Sequence, residues 1–480
     1  MTILKRAPFL AILAALIAAM GLEEEAGPVL LPILASFTAA GVLLCSFRKE
    51  ERGQWPLFVL VLLLTLLASV RIVCVLYRPL PTSMSVRTEG TVTSVRPWGR
   101  TYTAVLDTPQ GRFLLRLPFA TVTEGMRLSA EGISRPLRRA AGTGFDEERF
   151  WRGYGVTAWL AASRLEPTPK QPWNLHRLRY EVSRLLIIHT PALTGAYLRA
   201  AWTGYRDASL NEAHRAWGTS HLLAVSGFHV GIVVFSAFLL LRRSPLRIPL
   251  LSLLLWTYIL LTGAAPSALR AGTMIQTALL AELLGRPRSS VNSVAVAAVS
   301  LLLFSPHLFW NVGWRLSVLA ALLIAAVLEE GSLRGTAFWI VLSPSIWLIS
   351  FPQTSYTFGS VPLAGLILNL FAPAFFSFAF SLTSAAALLH LAGLPLTSWL
   401  LDAAEGAFSL WGLLANGLVF LVPWTISWGP FMSWCGTGLL FFWLCRAMRL
   451  SWVQTALIAW VGSAARSEEH TSELQSHELI

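Results

Sequence analysis

Lysine is nearly absent from this chain. Lys5, Lys49 and Lys170 are the three lysines in 480 residues, so the 37 basic side chains are almost all arginines. Charge is scarce as a whole, at 13% of residues against 55% hydrophobic. A soluble chain of this length needs far more charge to cover its surface, which argues against a soluble domain and for a polytopic membrane protein. Cysteine is also rare. Cys45, Cys74, Cys435 and Cys445 stand in apolar runs without ligand spacing, so they read as packing residues and not as a metal centre. No internal repeat of the transporter kind is visible. The formal charge is +12. An arginine excess suits phosphate, which the planar guanidinium binds as a fork, but a GC-rich genome produces the same bias.

Three apolar segments open the chain at roughly 7–22, 28–47 and 55–77, forming a set of N-terminal transmembrane helices over 1–80. Lys5 and Arg6 precede the first, Glu23, Glu24 and Glu25 follow it, and Arg48, Lys49 and Arg52 separate the second from the third. The positive-inside rule then places the N-terminus in the cytoplasm and delivers the third segment to the outer face. Residues 84–168 change character. Strand-like stretches at 86–95, 102–107, 111–117, 126–133 and 156–165, with a short helix over 145–153, predict a small extracytoplasmic β-barrel of OB-like type. It carries 12 arginines against 8 acids and no cysteine. Trp98, Tyr102, Phe113 and Phe119 suit either a surface that stacks single-stranded bases or the filling of the barrel itself.

Residues 170–218 read as amphipathic interfacial helices, with Arg177, Arg179 and Arg184 turned toward headgroups. From 219 to 465 the chain is a polytopic membrane bundle. Arg242, Arg243 and Arg247 after its first run, and Arg286 and Arg288 after its third, place both loops in the cytoplasm. After about 360 the apolar run is broken by proline and glycine, and broken or re-entrant helices fit there. The last stretch, 466–480, looks like translated sequencing adapter and is set aside. On that reading the natural chain continued past Ala465.

The stretch from Thr219 to Gly231, TSHLLAVSGFHVG, puts two histidines and three hydroxyls inside a membrane-grade apolar segment. Lipid penalises such groups, so they need a protein-lined or watery setting. Read as one helix, it makes Ser226 and His229 near neighbours, with His221 two turns back and rotated by about 80°. Gly227 and Gly231 form a G-x-x-x-G that allows close helix packing. His214, His221 and His229 lack the alignment and the carboxylate of a metal triad, so no metal or cofactor is expected. Farther on, Pro266 begins a new helix, Ser267 and Ala268 allow a tight turn, and Arg270 lies one turn inside. Arg270 and Arg315 either snorkel to the interface or line an aqueous path.

Four blocks in order resemble the ComEC family of competence proteins: the Gly218-to-Gly231 signature, Leu261-Thr262-Gly263 through Arg270, Asn311 through Ser317, and Phe358 through Asn369. The module ending Gly144-Phe145-Asp146-Glu147-Glu148-Arg149-Phe150-Trp151 resembles the end of that family's OB-type domain. The resemblance implies a multi-pass inner-membrane channel that passes one strand of transforming DNA, together with other competence proteins and with an oligomer allowed. His221, Ser226, His229, Arg270 and Arg315 are then candidates to line the DNA path, and no catalytic residue is assigned. Many members carry a C-terminal metallo-β-lactamase-like domain, whose metal motif does not appear before Ala465. Two other readings stay open: an intramembrane hydrolase using Ser226 and His229, with a carboxylate such as Glu282 or Asp402, and a small-solute transporter.

Overall fold

The computed structural model describes residues 7–21, 32–40, 55–77, 83–98, 101–119, 121–137, 147–223, 225, 227–285, 289–333, 335–394, 397–427, 438–440, 442–444 and 446–447. Ser226, the Arg286–Arg288 loop, most of the 431–445 run, the 452–463 run and the 466–480 tail lie outside the described residues. The first helices are α1 (Pro8–Gly21), α2 (32–40) and α3 (Trp55–Leu76). Five strands follow: β1 (Met84–Trp98), β2 (Thr101–Thr108), β3 (Gly111–Leu117), β4 (Arg127–Arg135) and, after α4 (Glu147–Gly153), β5 (Val156–Pro167). Then come α5 (Leu175–His189), α6 (Ala192–Thr203), α7 (Ala208–Ala216), α8 (Gly227–Leu241), α9 (Arg247–Leu261) and α10 (Pro266–Leu283). The last are α11 (Ser290–Phe304), α12 (Val312–Glu330), α13 (Gly335–Phe358), α14 (Ala364–Leu391) and α15 (Ser398–Leu421).

This is a polytopic α-helical membrane protein with a small OB-like barrel. Among the described residues five helices are long and apolar enough to cross a bilayer: α3, α12, most of α13, α14 and α15. Their outward side chains are apolar, as with Leu63 and Leu67 on α3 and Leu413, Leu414 and Phe420 on α15, all exposed. Such faces suit hydrocarbon, because each helix satisfies its own backbone internally. Among the described residues the proline-broken run after 360 forms two continuous helices, α14 and α15, and not re-entrant pieces. α14 passes through Pro373, and Ser377 Oγ donates to the Pro373 carbonyl at 2.6 Å.

The chain divides into two units. The first comprises Met1–Tyr77, Thr273–Val361 and Ile426–Ile480. Its centre is α11, where Val291, Val294, Ala295, Ala297, Ala298 and Leu302 are all buried. Ala11, Ala15 and Ala19 recur at four-residue spacing on α1 and are buried in turn, so small side chains let these helices pack closely. Polar caps fix the ends. Asn292 Oδ1 accepts from the Phe9 amide at 3.1 Å, and Glu329 Oε1 accepts from Ser289 Oγ and the Val291 amide, both at 2.9 Å.

The second unit, Arg78–Gly272 with Pro362–Thr425, holds the barrel. The barrel closes in the order β1-β2-β3-β5-β4, with β3 and β5 parallel and the other pairs antiparallel. β1 is long enough to pair with β4 through Met84–Thr91 and with β2 through Thr91–Trp98, which seals the cylinder. Alternation decides which side chains go inside. Ala104, Leu106, Phe113, Leu115, Leu128, Ala130, Ala158 and Leu160 fill the interior. Val105 and Leu114 point outward yet are buried, because α4 covers them with Trp151. Phe113 is therefore filling and not a base-stacking platform, whereas Phe119 is exposed.

The barrel is fastened to α5 by a buried ion pair. Arg179 Nη1 lies 3.2 Å from Glu124 Oε2, with side chains only 11% and 2% exposed. Glu124 Oε1 also accepts from the Val95 amide at 3.2 Å, and Arg179 Nε donates to the Thr203 carbonyl at 2.6 Å. The guanidinium lies over the Tyr205 ring at 4.7 Å. Arg179 thus faces the protein interior, not headgroups as its helical spacing suggests: a carboxylate and a helix-end carbonyl hold it better than an interface would. Asn174 adds a second fastening. Its Oδ1 accepts from the Arg177 amide at 2.9 Å, and its Nδ2 donates to the Gly125 carbonyl at 2.8 Å. Gly125 has φ +82°, and any Cβ there would strike the Arg177 backbone, so glycine is required for the loop to lie on the helix.

Removing one partner strands a buried charge, which costs about 3–5 kcal/mol. Glu124→Ala and Arg179→Ala should each lower the unfolding temperature in detergent and open the barrel's junction to protease. The double variant should lose clearly less than the sum of the two. Additive losses would mean that the charges are not coupled.

Candidate functional site

The signature does not run as one helix. Ser220–Leu222 make a single 3₁₀ turn, and α8 starts at Gly227. Leu222, Leu223 and Val225 are all buried across this interruption. Ser267 Oγ donates to the Val225 carbonyl, holding the break open. His221 and His229 therefore belong to different elements. His221 is exposed on the turn, while His229 is buried on α8 with its ring edge-on to Phe380 at 4.8 Å.

His214, on α7, is fully buried. Its Nε2 bonds the Tyr197 hydroxyl at 2.7 Å and its Nδ1 the Thr219 hydroxyl at 2.9 Å. Its ring lies 6.0 Å from that of Phe376, so His214 and His229 both rest on the aromatic face of α14. His221 is close enough to both for its charge to act on each. The helix that carries Tyr197 is not interfacial. In α6, Tyr197, Leu198, Ala200 and Ala201 are buried, and Tyr197 stacks on Phe408 at 4.3 Å. The stretch 170–218 thus has an apolar exposed helix, α5, beside a core helix, α6.

The next block turns earlier than its serine and alanine suggest. Gly263 (φ 80°) and Ala264 (φ 51°) reverse the chain between α9 and Pro266. Ala264 is the one non-glycine residue with positive φ among the described residues, a strain of about 1 kcal/mol or more. One turn into α10, Arg270 is 7% exposed. Its Nε and Nη1 have no hydrogen-bond partner, and the guanidinium forms no ion pair among the described residues. A methyl group added at Gly227 would stand 3.7 Å from Arg270 Nη2 and 3.4 Å from Ala271 Cβ, both ordinary contacts. One added at Gly231 would meet nothing within 4 Å.

The tight backbone approach is at Gly218 instead. A Cβ there would be 3.1 Å from the Cα of Gly365, and the converse distance is also 3.1 Å. Asn369 Nδ2 donates to the Gly218 carbonyl at 3.3 Å, and Trp217 Nε1 donates to Asn416 Oδ1 at 2.8 Å. Three of the four sequence blocks therefore meet in the second unit. The fourth lies in the first unit, where Arg315 Nε donates to the Phe309 carbonyl at 2.6 Å and Nη1 to Gln353 Oε1 at 3.3 Å.

Two further arginines were not visible as a pair in the sequence. Arg206, in the α6–α7 loop, keeps an exposed surface, yet burial and then the charge of Arg96 on β1 lower its pKa, and the Arg96 guanidinium lies over the Tyr154 ring at 4.5 Å. Neither forms an ion pair among the described residues. Their sequence separation of more than a hundred residues hides the juxtaposition. Among the described residues no three histidine, cysteine, aspartate or glutamate side chains converge on a metal position.

A model of the Competence protein family matches residues 201–462, just over half of the chain. The chain belongs to the Competence protein family. ComE operon protein 3 of Bacillus subtilis (strain 168) is 31% identical over 170 residues, which is 35% of this chain and 19% of that relative. The match thus spans about a fifth of the relative's length. No solved structure matches. The Competence match begins at Ala201, so it takes in Arg206, the broken signature, Arg270, Arg315 and the Gly218–Gly365 contact, while the barrel precedes it.

Gly218 combines a left-handed backbone (φ +70°) with a neighbour in van der Waals contact. Gly218→Ala should destabilise the protein by about 1–3 kcal/mol, whereas Gly231→Ala, in open space within a helix, should be neutral or slightly stabilising. Thermal unfolding of the two variants checks the contrast.

His214 gives a pH dependence. Burial, outweighing its hydrogen bond to Thr219, pushes its pKa from 6.5 down to about 4. The unfolded chain then binds the proton more readily, so the stabilisation is complete above pH 6.5 and falls away as pH drops toward 4. Wild type should lose more unfolding temperature between pH 7 and pH 4.5 than His214→Gln does.

Proposed function

We propose that this chain conducts single-stranded transforming DNA across the cytoplasmic membrane during natural competence. Membership of the Competence family supports a part in DNA uptake. The observation that carries the finer reading is the arginine pair at the base of the barrel. Arg96 and Arg206 stand together without a carboxylate partner among the described residues, on the barrel wall and on the loop that leads to the signature. Like charges left unneutralised at a junction are costly in isolation and favourable once a polyanion lies against them.

The barrel register agrees. Trp98 pairs with Thr101, and Tyr102 pairs with both Pro97 and Leu117, so exposed Phe119 lies at the same end of the barrel as Arg96. A cation pair beside an exposed aromatic ring suits a strand of any base sequence, since every base has a face to stack and every nucleotide a phosphate. The N-terminus is cytoplasmic and the barrel extracytoplasmic in this reading, because the basic residues flanking α1 and α8 favour that sidedness. The strand then meets the barrel first and the signature second, with other competence proteins delivering it. His221, Ser226, His229 and Arg270 are the candidates to line the path in the second unit, and Arg315 is the candidate of the first unit.

Cells carrying or lacking the gene, given fluorescent double-stranded DNA, test this. Labelled DNA should reach the cytoplasm only in the former, while binding at the cell surface persists in both. Arg96→Gln with Arg206→Gln should cut cytoplasmic label about tenfold or more without lowering the amount of protein in the membrane. Equal uptake by the deletion strain would refute the reading.

A further inference from the structure

Arg270 differs from the paired arginines of the second unit, and unlike Arg96 and Arg206 its guanidinium is sealed inside the protein. Arg179 has Glu124, Arg127 has Glu89, Arg184 has Glu181 and Arg87 has Glu131. Arg270 is more deeply buried than its membrane-side setting explains, and no carboxylate faces it among the described residues. Its long side chain does not snorkel out, since two of its three nitrogens are sealed inside the protein. A guanidinium held this way without a counter-charge is unfavourable by several kcal/mol, and such a residue persists where an anion completes it.

The third nitrogen indicates where the anion enters. Nη2 faces Gly227, the first residue of α8. The first-turn amides of a fifteen-residue helix have no partner within the helix, and the aligned peptide dipoles place partial positive charge at that end. A helix start and a planar cation thus lie side by side, the pairing that suits a phosphate group. Glycine at 227 keeps side-chain atoms out of the space beside Nη2. The neighbouring Val225 carbonyl is occupied by the Ser267 hydroxyl, so it does not repel an incoming oxygen anion with a free lone-pair face.

We propose that Arg270 and the N-terminal turn of α8 form a discrete binding station for one phosphodiester of a nucleic-acid backbone. This rests on the DNA reading above and adds to it a fixed point of contact inside the membrane-embedded unit. Among the described residues its donors are a guanidinium and main-chain amides, which do not read base identity.

The test uses the full chain in nanodiscs of zwitterionic lipid and a fluorescent oligothymidylate, titrated at several salt concentrations. Arg270→Gln should bind about tenfold more weakly, and the slope of log affinity against log salt should flatten by about 0.7, the value of one phosphate on a single strand. Arg270→Lys keeps the charge and should hold the wild-type slope with an intermediate affinity. Gly227→Ala, whose added methyl makes only ordinary contacts, should fold and should weaken binding without changing the slope. If Arg270→Gln matches wild type in affinity and slope, the station is refuted while the DNA reading stands. If Arg270→Gln does not fold, wild-type affinity in both Arg270→Lys and Gly227→Ala refutes it equally. If wild type binds no oligothymidylate, the DNA reading fails and the nucleic-acid station with it. Thermal stabilisation by inorganic phosphate or by anionic lipid, present in wild type and lost in Arg270→Gln, would then assign the anion site to another source.

Discussion

The buried pair of Glu124 and Arg179 is the constraint on which the second unit's arrangement depends. Neither charge could be where it is without the other. Once paired, they fix the loop between β3 and β4 against α5, the end of α6 against α5, and Tyr205 beneath the guanidinium. The Thr203 carbonyl that Arg179 holds lies three residues before Arg206, so the position of the exposed cation follows from that of the buried one. In this way one desolvated contact transmits the placement of a soluble-type barrel into the geometry of membrane-type helices. An apolar interface would slide more easily, because a hydrophobic contact has no preferred direction.

The signature depends on the opposite device, the absence of atoms. Gly218 and Gly365 let two backbones touch, and that contact places the 3₁₀ turn bearing His221 against the start of α14. The chain then breaks instead of continuing as helix, and the left-handed pair Gly263 and Ala264 aims α10 back so that Arg270 meets the new helix start. Strain at Ala264 and the interruption between the Ser220–Leu222 turn and α8 are the local costs of setting an arginine beside a helix N-terminus.

Much of the architecture was legible in the sequence because its signals are periodic. Each barrel strand fell within a few residues of its expected place, since alternation and the Thr108-Pro109-Gln110 turn mark strands locally. The long apolar runs gave the helices. What the sequence hid was long-range. Nothing near Arg179 says that its partner is fifty-five residues earlier, and amphipathic spacing alone sent it to the membrane surface. The run from 219 to 241 is apolar throughout, which concealed the break before Gly227. Proline suggested interrupted helices after 360, but Pro373 is accommodated in α14, where Ser377 bonds its carbonyl. Arg270 and Arg315 looked alike as lone arginines, and only coordinates separate the one held by a carbonyl and Gln353 from the one left without an ion pair.

The closed cylinder has a consequence of its own. Phe113, Leu115, Leu117, Leu128 and Leu160 occupy its entire bore, and α4 roofs part of its flank. A polymer cannot thread such a plug, so any nucleotide chain must travel along the outer wall. On the proposed reading the module would serve as a bollard around which a strand is steered, its course set by the strip of wall left uncovered.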